Sequence, residues 1–279
     1  MDRGAGGGNG RRVDLRDAGV VVTGAGRGIG AALARRFAAA GARVVVNDRN
    51  PDRAATVAAE VGGLPLPGNA AESLVPAARR LLGGPVDVFC ANAGAVHTGG
   101  PEAADEDWQT AWDVNLMAHV RAARDLLPEW LERGRGRFVS VVSSAGLLTM
   151  IDAAPYAVSK HAALAFAEWL SLTYRHRGVS VHAICPRGVR TETHRMAGVA
   201  GLRLTSTAIG PEEVAEALFT GIAEERFLVL PHPEVVQQMT ARIADLDRWL
   251  ENLNRMAAEQ SVVAARRRPP LRSDSQEEQ

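Results

Sequence analysis

Tyr156 and Lys160 stand four residues apart in Tyr-Ala-Val-Ser-Lys, inside a segment of helical composition, so their side chains share one helical face. Lys160 is the only lysine among 32 Lys and Arg residues, and Tyr156 is one of two tyrosines. A phenol with an ordinary pKa of about 10 is a poor base at neutral pH. An ammonium on the same face stabilises the phenolate, by about 1.4 kcal/mol for each unit of pKa depression. Such a pair can take a proton from an alcohol or give one to a developing alkoxide. Thirteen residues before Tyr156, Ser143 closes a strand-like run, and its hydroxyl could hydrogen-bond the reacting oxygen. The competing reading is an exposed helix carrying a plain aromatic and a solvated lysine.

A second constellation is the glycine-rich run Thr23-Gly24-Ala25-Gly26-Arg27-Gly28-Ile29-Gly30, set between a strand-like run and a helical one. It fits G-x-G-x-x-A at Gly26, Gly28 and Ala31, and G-x-x-x-G-x-G at Gly24, Gly28 and Gly30. Such a turn lets backbone N–H groups and a helix N-terminus face a pyrophosphate, where a Cβ would obstruct approach. Asp48 ends the next strand-like run 20 residues after Gly28. A carboxylate there accepts hydrogen bonds from ribose hydroxyls and repels a 2′-phosphate, which favours NAD over NADP. Arg27 and Arg49 are the cations that could reverse that preference. A glycine-rich turn with no ligand is the alternative.

The elements that must hold these residues alternate. Residues 19–23 (GVVVT), 43–47 (RVVVN), 86–90 (VDVFC), 138–143 (FVSVVS) and 179–185 (VSVHAIC) read as strands. Residues 64–67 (LPLP) and 227–230 (FLVL) are weaker candidates, the prolines of the first favouring an edge. Continuous β-branched runs fit strands covered on both faces. Residues 29–40, 71–82, 112–132, 155–176 and 211–225 have helical composition. Alternation at this spacing predicts a doubly wound, parallel α/β sheet in three layers.

The 279 residues, 46% hydrophobic and 23% charged, exclude wholesale disorder, and 32 acidic residues balance 32 basic ones. No basic surplus points to nucleic acid. Cys90 and Cys185 lie in apolar runs and read as buried reduced thiols. With neither an apolar leader nor a membrane-length apolar stretch, the expectation is a soluble, cytoplasmic protein without membrane association. Residues 1–15 read as a flexible leader, 16–230 as a single domain, 231–260 as a helical extension and 261–279 as a disordered tail.

With its T-G-x-x-x-G-x-G loop and Y-x-x-x-K pair, the chain resembles the short-chain dehydrogenase/reductase family over residues 15–230. The resemblance implies a Rossmann-type domain with about seven strands and NAD(P)-dependent hydride transfer between alcohol and carbonyl. It makes Tyr156 the general acid/base and Lys160 the residue that lowers its pKa and holds the nicotinamide ribose. Ser143 then binds the substrate oxygen, and Asn115 helps hold a proton-relay water. Asn92, Ala93 and Gly94 correspond to the family's N-N-A-G turn, whose first asparagine is Ala91 here. Pro186, Gly188, Val189 and Thr191 match the P-G-x-V-x-T segment, Val189 and Thr191 contacting the nicotinamide carboxamide, with Arg187 replacing a glycine. Asn69 and Ala70 stand where the family has Asp-Val against the adenine. The family is commonly dimeric or tetrameric through the helices carrying Asn115 and Tyr156, so a homodimer or homotetramer is implied.

The loops that would meet a substrate hold Val96-His97-Thr98, then Leu147 to Ile151, then His194, Met196 and the stretch to Ile209. Their apolar middle set suggests a hydrophobic or cyclic secondary alcohol or ketone. No spacing suggests a metal site. Met239, Ile243, Leu246, Leu250 and Leu253 form one apolar stripe, flanked by Trp249, for packing on the domain or on a neighbouring subunit. The expected function is an NAD-preferring oxidoreductase. An NADPH-dependent ketoreductase and a non-catalytic dinucleotide-binding scaffold or redox sensor are the alternatives.

Overall fold

The computed structural model describes residues 15–191 and 207–267. The leader over 1–14, the loop 192–206 with His194 and Met196, and the tail from 268 lie outside the described residues. The chain divides into two compact units, residues 1–236 and 237–279.

In the first unit, seven strands make one sheet: β1 (Gly19–Val22), β2 (Arg43–Asp48), β3 (Leu64–Pro67), β4 (Val88–Ala91), β5 (Gly136–Val141), β6 (Val179–Ile184) and β7 (Leu228–Val229). All pairings are parallel, in the order β3-β2-β1-β4-β5-β6-β7. The order turns back between β1 and β4, so a crevice opens at the carboxyl ends of those strands. The prolines of β3 fall on an edge strand, where a missing N–H breaks no ladder on the open side.

The helices of this unit are α1 (Gly28–Ala39), α2 (Pro51–Val61), α3 (Val75–Leu82), α4 (Asp105–Trp112), α5 (Ala118–Arg133), α6 (Ala145–Leu148), α7 (Ala154–Tyr174) and α8 (Pro211–Ala223). Alternate residues of each strand feed opposite layers. Val20, Val22, Val44 and Val46 pack with Leu33 and Phe37 of α1 and Leu218 and Ile222 of α8. Val21, Val45, Phe89 and Phe138 pack with Leu126 and Trp130 of α5 and Leu170 of α7. The Trp130 indole donates to the Val86 carbonyl at 2.7 Å, so this large buried ring leaves no polar atom unpaired.

Three local features depart from the sequence expectations. α2 and α4 lie outside the segments singled out above, although Asn50 accepts the Arg53 N–H, Pro51 starts α2 and Gly62 ends it in the left-handed region. The helix expected over 112–132 is interrupted: α4 ends at Trp112, a π-helical turn spans Asp113–Met117, and α5 follows. α3 starts at Val75 rather than 71, with Pro76 in its first turn.

The second unit continues α9 (Pro233–Ala244), whose first residues belong to the first unit, and holds α10 (Leu246–Arg267). The apolar stripe therefore does not run along one helix. Asp245 accepts the Arg248 N–H at 3.0 Å and starts a new helix between Ile243 and Leu246. α10 also runs on to Arg267, past the boundary expected at 260.

Candidate active site

The glycine loop leaves β1 with Gly24 and Gly28 both in the left-handed region. A Cβ on Gly30 would collide with the Gly24 carbonyl and the Asn92 side chain. Asn92 follows β4, and its amide donates to the carbonyls of Thr23 (2.8 Å) and Gly24 (3.1 Å). The Thr23 hydroxyl accepts the N–H groups of Asn92 and Ala93, each at 3.0 Å. These bonds clasp the start of the loop to the end of β4, with Ala93 directly against Gly24.

Asp48, at the end of β2, takes the Gly26 N–H on one oxygen (3.0 Å) and the Asn50 N–H on the other (2.9 Å). Each oxygen keeps a lone pair for a further donor. Gly26 lies so close to the Asp48 carboxylate and to Arg53 that no side chain would fit there. Arg49 is exposed. Arg53, whose Cβ α2 brings beside Gly26, thus joins Arg27 and Arg49 as a basic residue of this corner. The carbonyl of Asp48 also accepts the Gly68 N–H at 3.0 Å, which brings Asn69 and Ala70 alongside.

Around the carboxyl ends of β4 and β5 lie the four candidate catalytic residues. Tyr156 sits in the first turn of α7, half-buried, and Lys160 is buried one turn later. The Lys160 ammonium donates to the Val141 carbonyl at 2.9 Å and lies 5.9 Å from the Tyr156 ring centre. Ser143 accepts the Ala145 N–H at 3.1 Å, and its hydroxyl lies beside the Tyr156 side chain. Asn115, fully buried in the π-helical turn, spans the Ala95 peptide with a 2.9 Å bond at each end. Its amide also donates to the Ser159 hydroxyl at 2.9 Å, and that hydroxyl donates to the Tyr156 carbonyl at 2.9 Å. Gly94 faces this group: a Cβ there would be 3.4 Å from Asn115 Oδ1 and 3.6 Å from Lys160 Nζ.

Burial sets the electrostatics. It pushes the Tyr156 phenol above its ordinary value, against the lowering effect of the Ser143 hydroxyl beside it, and pushes Lys160 down to about 8. The depression of Tyr156 expected from the i, i+4 lysine is therefore absent in the chain alone. The ammonium is turned to a backbone carbonyl, and loss of solvent outweighs it.

The Pro186-to-Thr191 turn follows β6. Pro186 accepts the Ser144 N–H at 2.8 Å, and Thr191 reaches the glycine loop, its methyl 3.1 Å from where a Gly28 Cβ would be. Arg187, in the family's glycine position, is not among the residues with positive φ, so a side chain there causes no backbone strain. Of the substrate-side residues, Leu148 is buried and Leu147 packs against the second apolar layer. Met150 and Ile151 stay half-buried between Thr149 and Asp152, two non-glycine residues with positive φ. His97 pairs with Asp107 at 2.7 Å. Ser159 and His232 carry no signal in the sequence, because their roles come from partners 44 and 45 residues away in the chain.

Arg27 gives α1 no side-chain cap, so the helix N-terminus opens onto a loop kept clear by glycine. The residues fit a dinucleotide: this N-terminus would hold the pyrophosphate, Asp48 a ribose, and the surroundings of Gly94 and Tyr156 the nicotinamide end.

The short chain dehydrogenase profile matches residues 18–198. A 1-deoxy-11-beta-hydroxypentalenate dehydrogenase of Streptomyces avermitilis is 32% identical over 85% of this chain and 92% of its own. The 3beta-hydroxysteroid dehydrogenase 1 of Eggerthella lenta is 35% identical over 64% of this chain and 73% of its own. A short-chain dehydrogenase/reductase from Burkholderia phymatum, solved in complex with NAD, superposes with a TM-score of 0.76 at 26% identity, covering 84% of this chain and 95% of that one. The chain belongs to the short-chain dehydrogenase/reductase family. It is an oxidoreductase that moves hydride between an alcohol or ketone and a nicotinamide dinucleotide.

Proposed function

We propose that the protein is an NAD-preferring dehydrogenase of hydrophobic secondary alcohols, working through Tyr156, Ser143, Lys160 and Asn115. The observation that carries this reading is the gathering of these residues at the carboxyl ends of β4 and β5, Asn115 and Lys160 facing Gly94, beside a glycine loop whose tip is tied to Asp48. The nicotinamide supplies the hydride acceptor in oxidation and the donor in reduction. Ser143 orients the substrate oxygen, and Tyr156 takes its proton in oxidation and returns one in reduction. Lys160 keeps positive charge beneath the site, and Asn115 with Ser159 fixes the Ala95 loop and the first turn of α7 against each other. Asp48 accepts the ribose hydroxyls and excludes a 2′-phosphate.

A hydrophobic substrate is supported by half-buried Met150 and Ile151 beside the site, and by the hydroxysteroid and hydroxypentalenate in the names of the two relatives. A homo-oligomer is supported by α7, where Val158, Ala162, Ala165, Trp169 and Leu172 repeat on one face and Val158, Trp169 and Leu172 are exposed.

Two measurements test this. Titration with NAD⁺, NADH, NADP⁺ and NADPH in one buffer should give clearly tighter binding of the unphosphorylated pair. Tighter NADP(H) binding would overturn the Asp48 argument and put Arg27, Arg49 and Arg53 in control. A panel of secondary alcohols should then be oxidised by the native chain and not by Tyr156→Phe, whereas a sensor would keep its partner response in that variant.

A further inference from the structure

His232 lies in Pro-His-Pro just after β7 and is 1% exposed. Its Nδ1 is 3.2 Å from the Arg187 N–H, and its Nε2 is 3.0 Å from the Gly188 carbonyl. A backbone N–H needs a ring lone pair and a carbonyl needs a ring N–H. The two partners therefore define one form, the neutral ring protonated on Nε2. Pro231 and Pro233 restrict the backbone on either side, so the ring is presented with little freedom.

Both partners belong to the turn after β6. One end of that turn is anchored to Ser144 through Pro186, and the other reaches Gly28 through Thr191. His232 grips its middle. Beside it, Arg187 and Glu234 pair at 3.6 Å across the same junction. On the far side, Val189 bridges to Ile209, and Arg190 donates to the Ala208 carbonyl and pairs with Glu213 at 3.3 Å. The turn is thus clamped from both flanks, and His232 is the clamp contributed by the segment after β7.

We propose that His232 is a positioning residue for the nicotinamide half of the cofactor. It holds the Arg187–Gly188 backbone so that Val189 and Thr191 meet the carboxamide, and it leaves the adenosine half at Asp48 untouched. The inference rests on the reading of 186–191 as the nicotinamide-contacting turn.

NADH and ADP-ribose, which lacks the nicotinamide, separate the two halves. In His232→Ala, NADH should bind about tenfold more weakly, about 1.4 kcal/mol, while ADP-ribose binding stays unchanged. Turnover should fall with little change in KM for the alcohol. His232→Gln, which can return a donor to the Gly188 carbonyl, should recover part of the NADH affinity. It also carries the comparison if the alanine variant does not fold. Equal loss for both ligands would make His232 a general structural residue and overturn the inference, as would no loss for either. Native protein binding the two ligands equally would overturn it too, since the turn would then contribute nothing. Native protein binding neither would instead sink the dinucleotide reading itself.

Discussion

Tyr156 enters the chemistry with a handicap that defines its pH behaviour. Burial holds its phenol above the ordinary value, so the neutral form dominates throughout the physiological range. Reduction of a ketone needs that neutral form, and its rate should be nearly flat between pH 6 and about 8. Oxidation needs the phenolate, so its kcat/KM should climb about tenfold per pH unit below the phenol's pKa. The climb should flatten above about 8, where Lys160 loses its proton and the site its positive charge. Paired profiles in the two directions check this, and an oxidation profile level from pH 6 to 8 would contradict it. Replacing the phenol by Tyr156→Phe should lower turnover by about 10²- to 10⁴-fold while cofactor titration stays near native. Asp48→Ala should cost NAD(H) selectivity and also loosen the glycine loop, because the Gly26 and Asn50 N–H groups both lose their acceptor. Comparing NADH with NADPH affinity in that variant reads the selectivity directly.

Among the elements, the π-helical turn at Asp113–Met117 has the most consequence for the site. It directs Asn115 at the Ala95 peptide and at Ser159 together, so one side chain joins the loop after β4 to α7. Asn115→Ala would leave the half-buried Ala95 N–H and carbonyl without their partner. The expected cost is about 1–3 kcal/mol of stability, measurable by urea unfolding. This turn was not legible in the sequence: 112–132 has helical composition throughout, and the interruption answers to partners on other elements. α2 is a different case. Asn50, Pro51 and Gly62 mark its two ends in the sequence, and those signals were available without the fold. The glycine loop and the Tyr156–Lys160 pair were readable because their chemistry depends on short spacing along the chain. His232 was not, because its meaning lies in a turn 45 residues earlier.

At the scale of the whole molecule, strand–helix alternation foretold the parallel sheet, and the prolines at 65 and 67 foretold which strand would stand at an edge. The order of the strands comes from the fold itself. The exposed apolar face of α7 bears on assembly. Trp169→Glu together with Leu172→Glu should reduce the solution mass to that of a monomer, measured by light scattering, if this face joins subunits. An unchanged oligomer would move the interface elsewhere. Among the described residues, no helix is long and apolar enough to cross a membrane.

Cys90 and Cys185 are both buried, and burial holds their thiols well above the ordinary range, Cys185 at about 12 although it neighbours Lys160. With so little thiolate while the core is closed, neither is expected to react with peroxide or an alkylating reagent in the native state. Iodoacetamide should therefore modify the protein only when the sheet opens. Under native conditions its rate becomes a clock for opening events, and ligands that close the crevice should slow it. The two buried sulfurs are thus the chain's own record of how often its centre comes apart.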